Sequence, residues 1–213
     1  MSQTTINIIP GRLTEQEIKA LLKPGTQIEL SPSVYAQVAR SAAVIRTVLD
    51  EKKIIYGINT GFGALENTVI PSDDLALLQR HLVLSHAAGT GDPLPDVAVR
   101  LILALKINSL ARGYSGIQVD TLKALVALYN HGVYPVIPRQ GSVGASGDLA
   151  PLAHMSLALL GEGQVRYQGV EIPAAQALTS IGLMPRVLQA KEGLALLNGT
   201  QVSTALALLG LFE

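Results

Sequence analysis

The feature that most restricts the fold of this chain is a run of small residues at 141–148, Gly-Ser-Val-Gly-Ala-Ser-Gly-Asp, followed directly by an apolar helical pattern over residues 149–160. Its three glycines are spaced three residues apart, and glycine reaches backbone conformations that other residues avoid. The run therefore predicts a tight turn, and Asp148 is a suitable N-cap for the helix that follows. Ala145–Gly147 is then expected at a helix N-terminus, where partial positive charge accumulates.

From these residues alone, four interpretations of the turn remain open. It is a simple loop-to-helix junction, or an anion site made by backbone N–H groups, although it lacks the glycine patterns of a P-loop and of a dinucleotide site. A third makes Ser146 the nucleophile of a serine hydrolase, although Gly-Ala-Ser-Gly-Asp is not Gly-x-Ser-x-Gly. In the fourth, the unhindered nitrogen of Gly147 closes on the carbonyl carbon of Ala145. Loss of two waters would then leave an electrophilic methylidene-imidazolone.

Four further motifs lie elsewhere along the chain. They are Tyr56–Gly63 (YGINTGFG), Leu84–Gly89 (LSHAAG), Ser109–Gly116 (SLARGYSG) and Lys191–Thr200 (KEGLALLNGT). Together with the turn and its helix, they closely resemble the signature of the aromatic amino acid ammonia-lyases, in the order of that family. Within the family they are most similar to the histidine-type members. The similarity is strong from about residue 50 onward and looser before it.

The resemblance implies a cofactor that the chain makes from itself, a 4-methylidene-imidazol-5-one (MIO) formed autocatalytically from Ala145, Ser146 and Gly147, with no metal and no nucleotide. Such a ring is an electron sink, which a deamination without a metal or pyridoxal requires. The resemblance also implies an acid–base role for Tyr56 and a hydrogen bond from Asn198 to the ring. Taken alone, the tyrosine also fits a packed loop residue, and the asparagine fits a structural amide in a helix.

The Ser85–His86 pair is the predicted substrate-selecting element. In the resemblance, this pair separates histidine-type members from those that select phenylalanine or tyrosine. A polar pair suits an imidazole, which both donates and accepts hydrogen bonds, although a helix-terminal histidine also fits the helix dipole. We expect L-histidine as substrate, with urocanate and ammonia as products. His81, His131 and His154 are expected to be structural, with His154 supporting the site from the next helix.

Composition restricts the class of partner. Hydrophobic residues make up 48% of the chain, charged residues 15%, and the formal net charge is zero, which argues against nucleic acid or an anionic membrane surface. No apolar run reaches the ~18 residues of a membrane span, and there are no cysteines. We expect a cytoplasmic protein whose excess apolar surface lies in a subunit interface, and the resemblance implies a homotetramer.

The hydrophobic pattern predicts a mainly α fold with small β pieces, which the resemblance places in the N-terminal part of the ammonia-lyase/fumarase-like helical fold. Long helices are expected from Pro32, Ser72 and Pro95, with the last one running from Leu194 to the end and containing Asn198. A capping box at Thr14–Glu17 predicts a short helix to about Leu22. Short strands are expected at residues 4–9 and 27–30, on either side of this helix, and as a hairpin that turns near residue 169. Residues 56–70 are expected to form a long functional loop.

The resemblance also predicts that residues 1–213 are the N-terminal, MIO-forming domain of a longer chain, cut before the long central helix bundle. Active sites in the family combine residues from neighbouring subunits. The chain by itself is therefore expected to be weakly active or inactive. Two alternatives remain open: a non-catalytic interaction module that needs a complementary C-terminal chain, and an aromatic amino acid aminomutase that uses the same electrophile.

Overall fold

The computed structural model describes residues 4–63 and 66–212. Helices dominate these residues, and the strands are short, so the predicted mainly α class is confirmed. The helices are α1 Glu15–Leu21, α2 Pro32–Asp50, α3 Leu75–His86, α4 Asp96–Leu110, α5 Val119–His131, α6 Leu149–Leu157, α7 Ala174–Ser180, α8 Glu192–Leu197 and α9 Gln201–Phe212. The strands are β1 Thr5–Asn7, β2 Gln27–Glu29, β3 Thr90–Pro93, β4 Tyr134–Pro135, β5 Pro138–Gln140, β6 Gln164–Tyr167 and β7 Val170–Pro173.

Helix α4 forms the centre of the hydrophobic core. It packs against α5 and α9, and its apolar side chains are buried on more than one face, among them Val99, Leu101 and Leu103. A helix that is apolar all round is expected in a core or in a membrane. None of the helices within the described residues is long and apolar enough to cross a membrane.

The first part of the chain is attached to α4 through a buried arginine. Arg100 is 3% exposed, and its guanidinium donates hydrogen bonds to the carbonyl oxygens of Leu21 (2.7 Å) and Thr26 and to the Tyr134 hydroxyl (3.1 Å). It also lies over the ring of Tyr129, 4.1 Å from the centroid. A buried charge needs such partners, so the segment around α1 belongs to the same packed unit as the central helix.

Local sequence signals at helix starts have mixed outcomes. The predicted capping box before α1 is confirmed, because Thr14 Oγ1 accepts from the backbone of Glu17 and the Glu17 carboxylate accepts from the backbone of Thr14. Ser72 does not cap α3 as predicted. A 3-10 turn over Ser72–Asp74 intervenes, and the helix begins at Leu75.

The strands include one pair that the sequence did not predict. Strand β3 pairs antiparallel with β5, with Thr90 opposite Gln140, and β5 leads directly into the turn at 141–148. The sequence of residues 89–93 does not favour a strand, because Gly, Asp and Pro are depleted in strands. The hairpin of β6 and β7 is confirmed, and β1 pairs with β2 in parallel.

The predicted continuous helix from Leu194 to the end is wrong. The chain forms α8, leaves helical geometry at Asn198 (φ −84°, ψ 126°) and starts again as α9. Gly199 has a φ of +146°, which side chains of L residues rarely adopt. The break brings Gly199 against Gly147 in a parallel bridge, so a long-range contact overrides the local helical preference of this segment.

Candidate active site

The turn Gly141–Asp148 is tight and is fixed against the break between α8 and α9. Gly147 has a φ of +84°, and a Cβ built on it would lie 2.3 Å from the carbonyl oxygen of Gly199. That oxygen also accepts a hydrogen bond of 2.7 Å from the backbone N–H of Asp148. Only glycine fits at position 147, because any side chain would overlap main-chain atoms.

Asp148 precedes α6 as predicted, but its side chain does not cap that helix. The residue is 1% exposed, and one carboxylate oxygen accepts from the hydroxyls of Ser142 (2.8 Å) and Ser203 (2.5 Å). The other accepts from the backbone N–H of Ser203 at 2.8 Å, in the first turn of α9. Because both carboxylate oxygens accept hydrogen bonds from these donors, the carboxylate connects the turn to the N-terminus of α9, where negative charge is favoured.

A cavity of about 220 Å³ opens beside the turn. Its lining includes Ala145, Ser146 and Gly147 together with Ser85 and His86. The structure therefore brings the predicted ring-forming tripeptide and the predicted substrate-selecting pair to one cavity, although the two are about sixty residues apart in sequence.

Ser85 and His86 are positioned by the last turn of α3. His86 Nδ1 lies 2.8 Å from the carbonyl oxygen of Leu82, and because a carbonyl can only accept, we assign the ring proton to Nδ1. Nε2 is then the ring atom that can accept a hydrogen bond from a ligand. Ser85 Oγ donates to the same carbonyl at 3.2 Å and lies 3.3 Å from His86 Nδ1, which keeps the two polar side chains together.

His154, on α6, holds the chain that follows this pair. Its Nε2 accepts a hydrogen bond of 3.0 Å from the backbone N–H of Gly89. Burial lowers the pKa of His154, which favours the neutral ring that this bond requires. There is little space for a side chain at Gly89, since a Cβ there would lie 3.1 Å from the carbonyl oxygen of Gln140. The imidazole thus fixes the end of α3 near β5.

Asn198 lies beside the turn rather than inside a helix. It is exposed, and the next residue contacts Gly147. Its carbonyl oxygen accepts a hydrogen bond of 3.1 Å from Nζ of Lys106, a residue that the sequence analysis did not single out. The available signal was a single lysine in the apolar run Leu-Ile-Leu-Ala-Leu-Lys-Ile, which is unusual because lysine is rarely fully buried.

Tyr56 is placed away from the cavity lining. Its side chain is 57% exposed, and its ring meets Phe62 edge to face, with the centroids 5.8 Å apart. The loop that carries it is held by Asn59, whose side chain bonds the backbones of Ile55 and Lys53 at 2.9 Å each. Within this chain the structure does not bring Tyr56 and the tripeptide together.

The residues at the turn fit the proposed self-made ring. Ala145 and Ser146 are exposed and line the cavity, and Gly147 has no side chain on its Cα to hinder the approach of its nitrogen to the carbonyl carbon of Ala145. A serine hydrolase is less well supported. Among the described residues, no hydrogen bond joins Ser146 to a histidine or a carboxylate, and a nucleophilic serine needs an adjacent base.

Comparisons with known proteins agree with these features. A family model described as "Aromatic amino acid lyase" matches residues 13–213. The histidine ammonia-lyase of Pseudomonas fluorescens (strain SBW25) is 57% identical over 213 residues, which is 100% of this chain and 42% of that protein. The chain spans about two fifths of the length of the curated relatives that it matches.

Solved structures with the same fold include members with different named activities. A phenylalanine aminomutase from Pantoea agglomerans superposes with a TM-score of 0.89 at 34% identity, covering 97% of this chain and 39% of that one. A histidine ammonia-lyase from Trypanosoma cruzi superposes with a TM-score of 0.85 at 39% identity, covering 94% of this chain and 38% of that one.

Proposed function

The chain belongs to the aromatic amino acid lyase family, and from that premise we propose that it supplies the electrophile-forming part of an enzyme that eliminates ammonia from L-histidine to give urocanate. The observation that carries this proposal is the shared cavity, whose lining includes Ser85 and His86 as well as the tripeptide Ala145–Gly147. The 57% identity to a histidine ammonia-lyase supports the choice of substrate.

The proposed cofactor is the methylidene-imidazolone made from Ala145, Ser146 and Gly147, which supplies an electrophilic carbon and an electron sink. The protein's own contribution is to bend the chain. Gly147 reaches its positive φ because it has no side chain, and Gly199 and Asp148 hold the turn in that shape. The N-terminus of α6 follows directly, and its dipole favours negative charge that develops at the turn.

The substrate would be oriented by the pair at the end of α3. His86 Nε2 accepts a hydrogen bond from the imidazole N–H of the substrate, and Ser85, whose hydroxyl proton is donated to the Leu82 carbonyl, offers an oxygen that accepts. Asn198, beside the turn, provides an amide that can hydrogen-bond the ring. Together these groups hold the substrate's side chain in one orientation relative to the ring. Such orientation of the reactants supplies a substantial part of the rate enhancement of enzymes.

Tyr56 is proposed as the acid–base group that moves the β-proton. Its phenol needs a lowered pKa for that role, because an unperturbed tyrosine has a pKa of ~10. Since Tyr56 lies outside the cavity lining of its own chain, we propose that it acts in the cavity of a neighbouring subunit of a homotetramer. The chain spans about two fifths of its relatives, so we propose that it is weakly active or inactive without the remaining part.

The mass of the tripeptide region tests the electrophile directly. We expect a peptide containing Ala145–Gly147 to be lighter than its sequence mass by two water molecules, and we expect a Ser146→Ala variant to lack that deficit. Conversion of L-histidine is then measured for the chain alone and for the chain mixed with a C-terminal fragment of a relative. An unmodified peptide in a fully assembled, folded protein would contradict the proposal.

Product analysis decides between elimination and rearrangement. The likeness to a phenylalanine aminomutase, with a TM-score of 0.89, makes an amino group migration the second candidate. Urocanate and free ammonia are expected from elimination, whereas a β-amino acid isomer of the substrate would assign the chain to the aminomutases. Phenylalanine and tyrosine offered in place of L-histidine test the role of Ser85 and His86.

A further inference from the structure

Lys106 is a buried amine that the proposed reaction does not use. It lies in the central helix α4, is 1% exposed, and its Nζ donates to the carbonyl oxygen of Asn198 at 3.1 Å. Burial lowers the pKa of Lys106 to about 7, because a low-dielectric surrounding disfavours the charged form. Both the amine and the ammonium carry N–H donors, so the bond to Asn198 does not depend on the protonation state.

A lysine at this position is costly for stability alone. The neighbouring residues of α4 are apolar, and an apolar side chain of similar length would avoid the desolvation of the amine. The bond it makes is therefore the feature that distinguishes lysine from leucine or methionine here. The bond ends at the residue that terminates α8, where a helix leaves carbonyl groups without intrahelical partners.

The position of the Asn198 carbonyl determines the position of Gly199, since one rigid peptide plane joins them. Glycine is the residue type with the least restricted backbone, so Gly199 relies on its contacts to stay in place. Its own carbonyl oxygen accepts a hydrogen bond of 2.7 Å from the Asp148 N–H. It also forms the bridge to Gly147. Without a second attachment on the Asn198 side, the peptide between Asn198 and Gly199 could rotate away from the turn.

We propose that Lys106 is a positioning residue, whose side-chain nitrogen holds the Asn198–Gly199 peptide so that Gly199 stays against Gly147 and Asn198 stays beside the turn. Its effect on ring formation rests on the proposed function. The effect on the geometry of the turn does not, because the contacts are present in the open chain.

The chain offers a matched control for this inference. Lys191 is also partly buried and donates to a backbone carbonyl, that of Ser115, at 2.6 Å. Lys191 is the N-cap of α8, whereas Lys106 bonds Asn198, the C-cap at the other end of α8. Replacing either lysine with methionine removes one such bond and keeps an unbranched side chain of similar length, but only the first change touches the turn.

The decisive measurement is amide hydrogen exchange of the full chain carrying Lys106→Met or Lys191→Met. We expect the Asp148 amide, which bonds Gly199, to exchange at least about 10-fold faster in Lys106→Met, which corresponds to about 1.4 kcal/mol of local protection. Lys191→Met should leave this amide unchanged. The melting temperature of Lys106→Met should be equal to or higher than that of the unchanged protein, because a buried amine has been removed.

Further variants keep the test decisive. Lys106→Leu replaces Lys106→Met if the latter does not fold, and Lys106→Gln, which restores an N–H donor on a shorter stem, should recover part of the protection. The fraction of tripeptide lacking two waters should fall severalfold in the donor-free variants. Unchanged exchange at Asp148 in a folded donor-free variant would overturn the inference. Absence of the water deficit in the unchanged protein would instead count against the proposed function.

Discussion

The turn at 141–148 and the loop at 56–70, of which the structure describes residues 56–63 and 66–70, carry the two halves of the proposed chemistry. The described parts are held in different ways. The turn is fixed by groups about fifty residues away, namely Gly199 and Ser203. The loop is held by its own neighbours, since Asn59 bonds Ile55 and Lys53 and the backbone N–H of Ile70 bonds Asn59.

This difference separates what one chain completes from what it does not. Long-range bonds give the turn a defined shape before any partner arrives, and the cavity with Ser85 and His86 is part of that shape. Local bonds give the loop a fold of its own but leave Tyr56 57% exposed. We therefore expect changes in the turn to affect folding and ring formation within the chain, and changes in the loop to affect catalysis in the assembled protein.

The largest effect is expected from Gly147→Ala. The new Cβ would lie 2.3 Å from the Gly199 carbonyl oxygen, at a φ of +84°, so the turn cannot keep both its shape and its contact. We expect a loss of at least about 3 kcal/mol in the free energy of unfolding and no water deficit in the tripeptide. Urea unfolding and peptide mass measure the two effects. Gly144→Ala is the control, because a Cβ there meets nothing within 4 Å, although its φ is also positive.

Asp148→Asn should be the next most harmful change. The amide group keeps the size of the carboxylate but replaces one accepting oxygen with a donor, which would face Ser203 or Ser142 donors. Buried donors left without acceptors cost about 1–3 kcal/mol. Thermal unfolding measures the loss, and a further Ser203→Ala change should then cost less than it does in the unchanged protein. Additive losses would mean that Asp148 and Ser203 act independently.

Asn59→Ala should loosen the loop and spare the turn. It removes two hydrogen bonds of 2.9 Å from a side chain that is 6% exposed, at a cost of about 1–2 kcal/mol. Limited proteolysis should cut the loop faster, while the fraction of cyclised tripeptide stays at the level of the unchanged protein. A fall in that fraction would show that the loop and the turn are coupled within one chain.

Lowering the pH should weaken the hydrogen bond between His154 and the Gly89 N–H, which lies next to the cavity. Burial lowers the pKa of His154 below its ordinary value of 6.5, so the folded state binds the proton less readily than the unfolded state. The stabilisation is therefore complete above about pH 6.5 and is lost as the pH falls toward the folded-state pKa. We expect exchange of the Gly89 amide to accelerate in that range. His154→Gln should shift this response, whereas His131→Gln should not.

Tyr56→Phe should have the smallest effect on the chain and a large one on the assembled enzyme. The side chain is mostly exposed, so the free energy of unfolding should change by less than about 0.5 kcal/mol and the tripeptide should still cyclise. The rate of ammonia release in the complete assembly should fall by about 100-fold or more, as expected for loss of a general acid–base group. An unchanged rate would remove Tyr56 from the proposed mechanism.

The features that the sequence predicts correctly are those set by interactions between residues close together in the chain. The capping box at Thr14 involves residues three apart, and the tight turn follows from its glycines. The sequence does not predict the break in the last motif, because residues 194–197 and 205–209, on either side of it, consist of the strong helix formers Ala and Leu. Only the distant contact between Gly147 and Gly199 shows why the helix must stop there.

The partners of buried polar groups were not predictable in the same way. Asp148 was expected to cap its own helix, and its sequence neighbourhood fits that role, but the carboxylate bonds Ser203 in another helix. The sequence alone does not identify Lys106 as buried, because a charged residue in a helix is normally solvent-facing. In both cases the chemistry of the residue was visible in the sequence, whereas the donor or acceptor that it meets depends on the tertiary fold.

The attachment of Arg100 to the carbonyls of Leu21 and Thr26 has a practical consequence for shortened versions of the protein. Arg100 and Lys106 lie on one helix, six residues or about 9 Å apart along its axis. Deleting the leading segment would remove two of the three hydrogen-bond acceptors of this buried guanidinium and leave only the Tyr134 hydroxyl, and the helix would have to move to hydrate it. Deleting residues at the beginning of the chain would therefore move α4, and with it the Lys106 side chain that bonds the Asn198 carbonyl.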